Sequence, residues 1–191
     1  MSETTRRSFA VRILRASLLH VDTYEEVEAD RSALAQAALV VLLACCAALL
    51  GFWLRLELGH ELPPGALPLP LQLTVIFLEP LVLWTAGSAF AFMVGSSFFR
   101  GRHTETDYAE VLRTMGFAFA PSLLAALAFV PPDPLGFAVL AASRVWTFVA
   151  CVVAIRQALD FDTLRAFGTF GIAALLLWLV MWGLSVAPFP A

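Results

Sequence analysis

Two residues of opposite charge lie inside long apolar runs of the sequence, and charges in such positions are candidates for function. Glu79 lies about eight residues into the second run, or ~12 Å deep at the rise of an α-helix. Arg144 follows the turn before the fourth run by about ten residues, or ~15 Å. The matching depths predict an ion pair inside a helical bundle. Such a pair could relay protons or ions. A single pair with no further acidic residue in the spans is weak evidence for a relay. We therefore favour a structural lock, in which pairing offsets the free-energy cost of burying the two charges.

A second polar group lies between the second and third runs, where His103, Glu105, Asp107 and Glu110 follow one another closely. An imidazole with carboxylates could bind a metal. However, a spacing of two residues puts ligands on one side only in extended chain, and no second histidine is near. Asp107 and Glu110 fit a capping pair that starts a helix instead. His103, Glu105 and Asp107 are therefore weak metal candidates, and we expect no metal site.

No sequence motif supports catalysis. The chain has no GxSxG, no HExxH and no glycine-rich phosphate loop. Its three cysteines lie in apolar runs and form no CxxC pattern. We therefore expect a protein that is not an enzyme and that holds no cofactor.

The composition indicates which elements must position these residues. The 191 residues are 60% hydrophobic and only 14% charged, whereas a soluble domain has about 25% charged residues. The net charge of −3 gives no basic field for nucleic acid. Five runs are long enough, or nearly so, to cross a bilayer core about 30 Å thick. We expect spans at about 32–54, 71–99, 114–130, 135–155 and 166–186. The prediction is an all-α polytopic bundle formed by residues 32–187.

The orientation follows from the arginines, because basic residues are retained on the cytoplasmic side of a membrane. All twelve basic residues are arginines, and ten of them precede the first span or lie in the connections on the same side. With five spans, this places the N terminus in the cytoplasm and the C terminus outside.

The N-terminal segment, 1–31, is predicted to form helices at the cytoplasmic interface. Apolar residues recur there at helical spacing, at Val11, Leu14, Leu18 and Val21. Such a helix suits the membrane surface, and packing against the bundle is an equal alternative. Four arginines of this segment would face anionic lipid: Arg6, Arg7, Arg12 and Arg15.

A second helix is expected to begin near Tyr24, behind a capping box of Thr23 and Glu26. It would continue through Ala29 into the first span. In the second span, Gly87, Ala91 and Gly95 form a small-residue stripe that allows close helix packing. We favour packing within one chain over a dimer interface for this stripe.

Three segments resemble bacterial members of the Yip family, relatives of the Ypt/Rab-interacting membrane proteins of eukaryotes. They are YEEVEAD at 24–30, LRTMGFAFAP at 112–121 and VAIRQALDF at 153–161. The resemblance implies a five-span all-helical fold with a cytoplasmic N terminus. It also implies that Gly116 and Pro121 belong to a glycine-to-proline motif, whose physical role would be a bend with close packing. In eukaryotes the family is associated with Rab GTPases, vesicle traffic and membrane shape.

These observations together predict a multi-pass protein of the bacterial inner membrane that acts as a scaffold, membrane-organising factor or accessory subunit. Its partners would be membrane lipids and either another membrane protein or further copies of itself, and not nucleic acid. The alternative is a small transporter or channel module with Glu79 and Arg144 along its pathway. A membrane enzyme with a metal at His103, Glu105 and Asp107 is a third and weaker hypothesis.

Overall fold

A computed structural model of the chain describes residues 7–59, 66–98, 107–128 and 133–186, and within these ranges all regular structure is helical. Arg6, His103 and Glu105 lie outside them. The helices in chain order are α1 (Phe9–Ser17), α2 (Val21–Ala29), α3 (Ala33–Glu57), α4 (Leu69–Phe98), α5 (Tyr108–Ala118), a 3₁₀ helix (Ala120–Leu127), α6 (Asp133–Ala158) and α7 (Thr163–Val186).

Among the residues that the structure describes, five helical segments are long and apolar enough to cross a membrane: α3, α4, α5 with the 3₁₀ helix, α6 and α7. A helix suits this setting because it satisfies its own backbone polar groups, which hydrocarbon cannot do. The expectation of an all-α fold with five apolar spans is confirmed.

The third span is the centre of the bundle. In its most apolar stretch 56% of the residues are buried, against 22% in α4 and in α7. It packs against α3, α4 and α6. Pro121 stands at the start of the 3₁₀ helix, where its missing N–H costs little. At this position the span changes from α-helix to 3₁₀ helix, and the expected bend stays a prediction.

We call helices α1 and α2 the cap. Helix α2 packs against α5 and α6, and α1 packs against α2, α5 and the 3₁₀ helix. Two details of this region differ from expectation. Helix α2 begins at Val21, so Thr23 is not its N-cap; the Thr23 hydroxyl accepts hydrogen bonds from Arg7 and Arg15 instead.

The helix also does not run on into the first span. It ends before Asp30, whose φ of −90° and ψ of 95° are extended. The Asp30 carboxylate accepts from both the backbone N–H and the hydroxyl of Ser32. This local bonding offers the backbone an alternative to helix, and it separates α2 from α3.

Candidate functional site

Glu79 of α4 and Arg144 of α6 are in contact. Arg144 Nη1 lies 2.8 Å from Glu79 Oε1, and Nη2 lies 3.0 Å from Oε2, which is a bidentate geometry. The pair ties two spans that are 65 positions apart in the sequence. Its location differs from the expected bundle interior, because the side chains are 55% and 40% exposed. The helices are rotated so that the pair lies on the bundle surface.

Next to this pair is a cavity of about 380 Å³ in the middle of the bundle. All five spans contribute to its walls, which are mainly apolar; examples are Ala44, Leu83, Phe119, Phe148 and Phe170. Arg144 lines the cavity as well as facing outward, and so does Trp178, which is 60% exposed. These two residues connect the cavity wall to the side of the bundle, between helices, and we infer that the cavity opens there.

Few polar atoms line this cavity, and most of them are already bonded. The Ser143 hydroxyl donates to the carbonyl of Pro121 at 3.2 Å, and the Ser122 hydroxyl donates to that of Phe119 at 2.5 Å. Thr147 Oγ1 is different: it is buried and has no hydrogen-bond partner.

The small-residue stripe of α4 divides into two kinds of position. An added Cβ at Gly95 would lie 2.5 Å from Leu159 Cδ1, and Ala91 is fully buried, so these two allow close packing. Gly87 lines the cavity, where an added Cβ would meet nothing within 4 Å. In the third span, a Cβ at Gly116 would lie 2.6 Å from the Cβ of Ala37.

Arg12 of α1 forms a polar centre where α1 faces α2 and the start of α3. Its guanidinium donates to Glu26 Oε1 at 3.1 and 2.8 Å, to Asp30 Oδ2 at 3.0 Å and to Gln36 Oε1 at 2.9 Å. The residue is 1% exposed. The expectation that Arg12 faces lipid was therefore wrong, because α2 folds back and brings its acidic residues over this side chain.

Arg7 and Arg15 are also held by α2, although they lie at the surface. Both guanidinium groups bind the carboxylate of Asp22, and both contact the Thr23 hydroxyl. The side chains are 33% and 30% exposed. Each is thus paired with an acid at the surface, and the expected contact of these two arginines with anionic lipid stays a prediction.

Two further contacts fix the cap to the bundle. Arg113 Nη2 donates to the backbone carbonyl of Glu28 at 2.6 Å, and the Arg113 side chain is almost fully buried. Gln157 of α6 donates to Glu25 at 3.1 Å. Within the cap, the Tyr24 hydroxyl donates to the carbonyl of Ala16.

Glu28 has a distinct electrostatic environment at this junction. Burial, together with the neighbouring carboxylates of Asp160, Glu110 and Glu25, raises its pKa to about 7. From the sequence, Arg113 served only as a marker of sidedness. The burial of its side chain depends on the packing of α2 against α5, which brings the Glu28 carbonyl to it.

Asp107 acts as a helix cap. Its side chain accepts from the backbone N–H of Glu110 at 2.8 Å, and the Glu110 side chain accepts from the backbone N–H of Asp107 at 3.0 Å. The expected capping pair is confirmed. In the ranges that the structure covers, no three His, Cys, Asp or Glu residues are grouped so that they could hold a metal ion.

The comparison with known proteins gives one match. A family model, that of the Yip1 domain, matches residues 16–185 of the chain. No curated protein and no solved structure matches. The matched range takes in α2, all five spans and the ion pair.

Proposed function

We propose that this chain, which belongs to the Yip1 domain family, is an integral membrane scaffold whose cap surface binds a partner protein. The observation that carries the proposal is the buried Arg12, which joins α1 to α2 through two hydrogen bonds to Glu26, and joins α1 to the start of α3 through single bonds to Asp30 and Gln36. A charged centre of this kind costs free energy to bury, so its value lies in fixing one geometry of the cap. A fixed surface is what a scaffold requires.

The proposal includes the absence of catalysis. Yip1 domain proteins are generally non-enzymatic. Among the described residues, Arg12 and Arg113 are buried cations, and neither lines the central cavity. Arg12 binds two carboxylates, and Arg113 binds the backbone carbonyl of Glu28. Their arrangement supports a structural role.

We place the protein in the inner membrane of a bacterium, with the cap in the cytoplasm. The orientation is supported by the sequence, in which ten of the twelve arginines precede the first span or belong to the connections on the same side. Helix α1 adds to it, because Val11, Leu14 and Leu18 are 42%, 60% and 54% exposed and form one apolar stripe. Such a stripe suits the boundary between headgroups and acyl chains.

A second candidate function is transport of a small molecule. It is favoured by one observation, that Arg144 lines the central cavity beside its ion pair with Glu79. On that hypothesis both charges would be exposed to the substrate during passage.

The test is purification from native membranes into lipid nanodiscs, followed by identification of co-purifying proteins. The wild type and Arg12→Met are compared. Arg55→Met serves as the control, because Arg55 binds the carbonyl of Ala128 at the end of the bundle opposite the cap. We expect one membrane protein to co-purify with the wild type and with Arg55→Met, and to be lost from Arg12→Met. A wild type that purifies alone, and that moves solute across proteoliposomes, would favour the transporter instead.

A further inference from the structure

The central cavity has the properties of a site for a hydrocarbon chain. We propose that it binds one acyl chain of a membrane lipid, with the oxygen-bearing end of that chain at Thr147 and Arg144. This inference does not rest on the scaffold function, since it concerns a different part of the molecule.

The size and lining of the cavity favour an apolar occupant. Its volume of about 380 Å³ falls within the range of small-molecule sites, about 300–1,000 Å³. Aromatic and aliphatic side chains such as Phe119, Phe148 and Leu177 make up most of the wall. Water needs two to four polar partners in a buried site, and this wall offers few. A hydrocarbon chain would instead restore the dispersion contacts that a void forfeits.

The position of the opening favours a lipid as the source. Arg144 and Trp178 line the cavity and are also exposed on the side of the bundle, within spans α6 and α7. At that level the neighbouring molecules in a bilayer are acyl chains. A chain can therefore enter sideways, between helices, without crossing an aqueous phase.

Two polar groups at the cavity match the end of such a chain. Thr147 Oγ1 is buried without a partner, and a buried hydroxyl in that state costs free energy. The Arg144 guanidinium has five N–H donors, and Glu79 faces only its two Nη atoms. A carbonyl or carboxylate oxygen accepts from both kinds of donor. The ester end of a phospholipid chain and the head of a free fatty acid both present this chemistry.

Two glycines of the spans, Gly87 and Gly171, provide a matched pair of variants. An added Cβ meets nothing within 4 Å at Gly87, which lines the cavity, or at Gly171, which does not. The Cβ of Gly87→Leu therefore meets no neighbouring atom, and its side chain extends from a residue of the cavity wall. Gly171→Leu makes the same chemical change at a residue outside that wall.

The experiment is native mass spectrometry of protein extracted from native membranes, with the lipid-bound fraction as the readout. We expect the wild type and Gly171→Leu to carry one lipid each, and the bound fraction to fall at least fivefold in Gly87→Leu. Thr147→Val is the second variant, since it keeps the side-chain volume and removes only the hydroxyl; we expect a severalfold fall with the fold intact. The adduct mass distinguishes a fatty acid from a phospholipid, and either supports the proposal.

The proposal is overturned by equal lipid-bound fractions in Gly87→Leu and Gly171→Leu. It is likewise overturned if the wild type carries only detergent, or if a folded Thr147→Val binds lipid as the wild type does. Loss of the co-purifying protein from Arg12→Met would not bear on any of these outcomes.

Discussion

Replacement of Arg12 by Met keeps most of the volume of the side chain and removes its charge. Glu26 and Asp30 then lose a buried cation and Gln36 loses a donor. Breaking a buried ion pair costs about 3–5 kcal/mol. Because Glu26 remains 24% exposed and Asp30 9% exposed, water can hydrate them in part, and the low end of that range applies. We therefore expect the cap to lose ~3 kcal/mol of docking free energy.

Amide hydrogen exchange measures that loss directly, because local opening of the cap sets the exchange of its amides. A loss of ~3 kcal/mol corresponds to about a hundredfold faster exchange in α1 and α2. Amides in the middle of α3 should keep their wild-type rates. Arg15→Met is the control, since Arg15 binds Asp22 at the surface and its removal should change the cap little. Wild-type exchange in Arg12→Met, or equal acceleration in Arg15→Met, would refute this reasoning.

Three further predictions concern single positions. The pKa of Glu28 is about 7 in the folded state and 4.5 ordinarily, so the folded state binds more protons than the unfolded state between these values. The protonated Glu28 side chain therefore contributes most to stability below pH ~4.5, and this contribution is lost as the pH rises to ~7. Glu28→Gln should flatten the fall of Tm across that window and raise Tm at pH 8, and a parallel pH profile would count against it. Gly95→Ala should lower the stability by about 1 kcal/mol or more, because the new Cβ collides with Leu159. Gly87→Ala should be neutral or stabilising, because its Cβ meets no neighbour. Denaturant titration of both variants tests this, and equal losses of stability would contradict the packing described. Asp107→Ala should lower the stability by about 1 kcal/mol, because the N–H of Glu110 loses its side-chain acceptor at the start of α5. Asp107→Asn keeps an acceptor oxygen and should cost much less, as measured by Tm. Equal losses in the two variants would mean that this hydrogen bond contributes nothing.

The spans were predictable from the sequence because the thickness of a bilayer sets a minimum length for an apolar helix. The fourth run, expected at 135–155, became Asp133–Ala158, and the fifth, expected at 166–186, became Thr163–Val186. Depth could also be counted along each helix, which is why Glu79 and Arg144 were expected to meet. The solvent exposure of the two side chains could not be predicted in this way, because it depends on the rotation of α4 and α6 about their own axes.

The burial of Arg12 could not be predicted from the order of residues along α1 alone. Arg12 flanks an apolar stripe, which favours an outward position as long as α1 is considered alone. Its burial depends on α2 turning back, and that turn depends on the break at Asp30. The cavity has no local signal of any kind, because its walls come from all five spans.

The central claim is that the cap is a fixed surface on which a partner protein binds. The most direct measurement is photo-crosslinking in native membranes, with a photoreactive amino acid at Arg31, which is exposed at the base of the cap. The same label at Leu175, which is 54% exposed on span α7, controls for random collisions. We predict a discrete protein adduct from position 31 that disappears when Arg12→Met is added, and none from position 175. Adducts with lipid alone at position 31, or an adduct that persists in Arg12→Met, would contradict the claim.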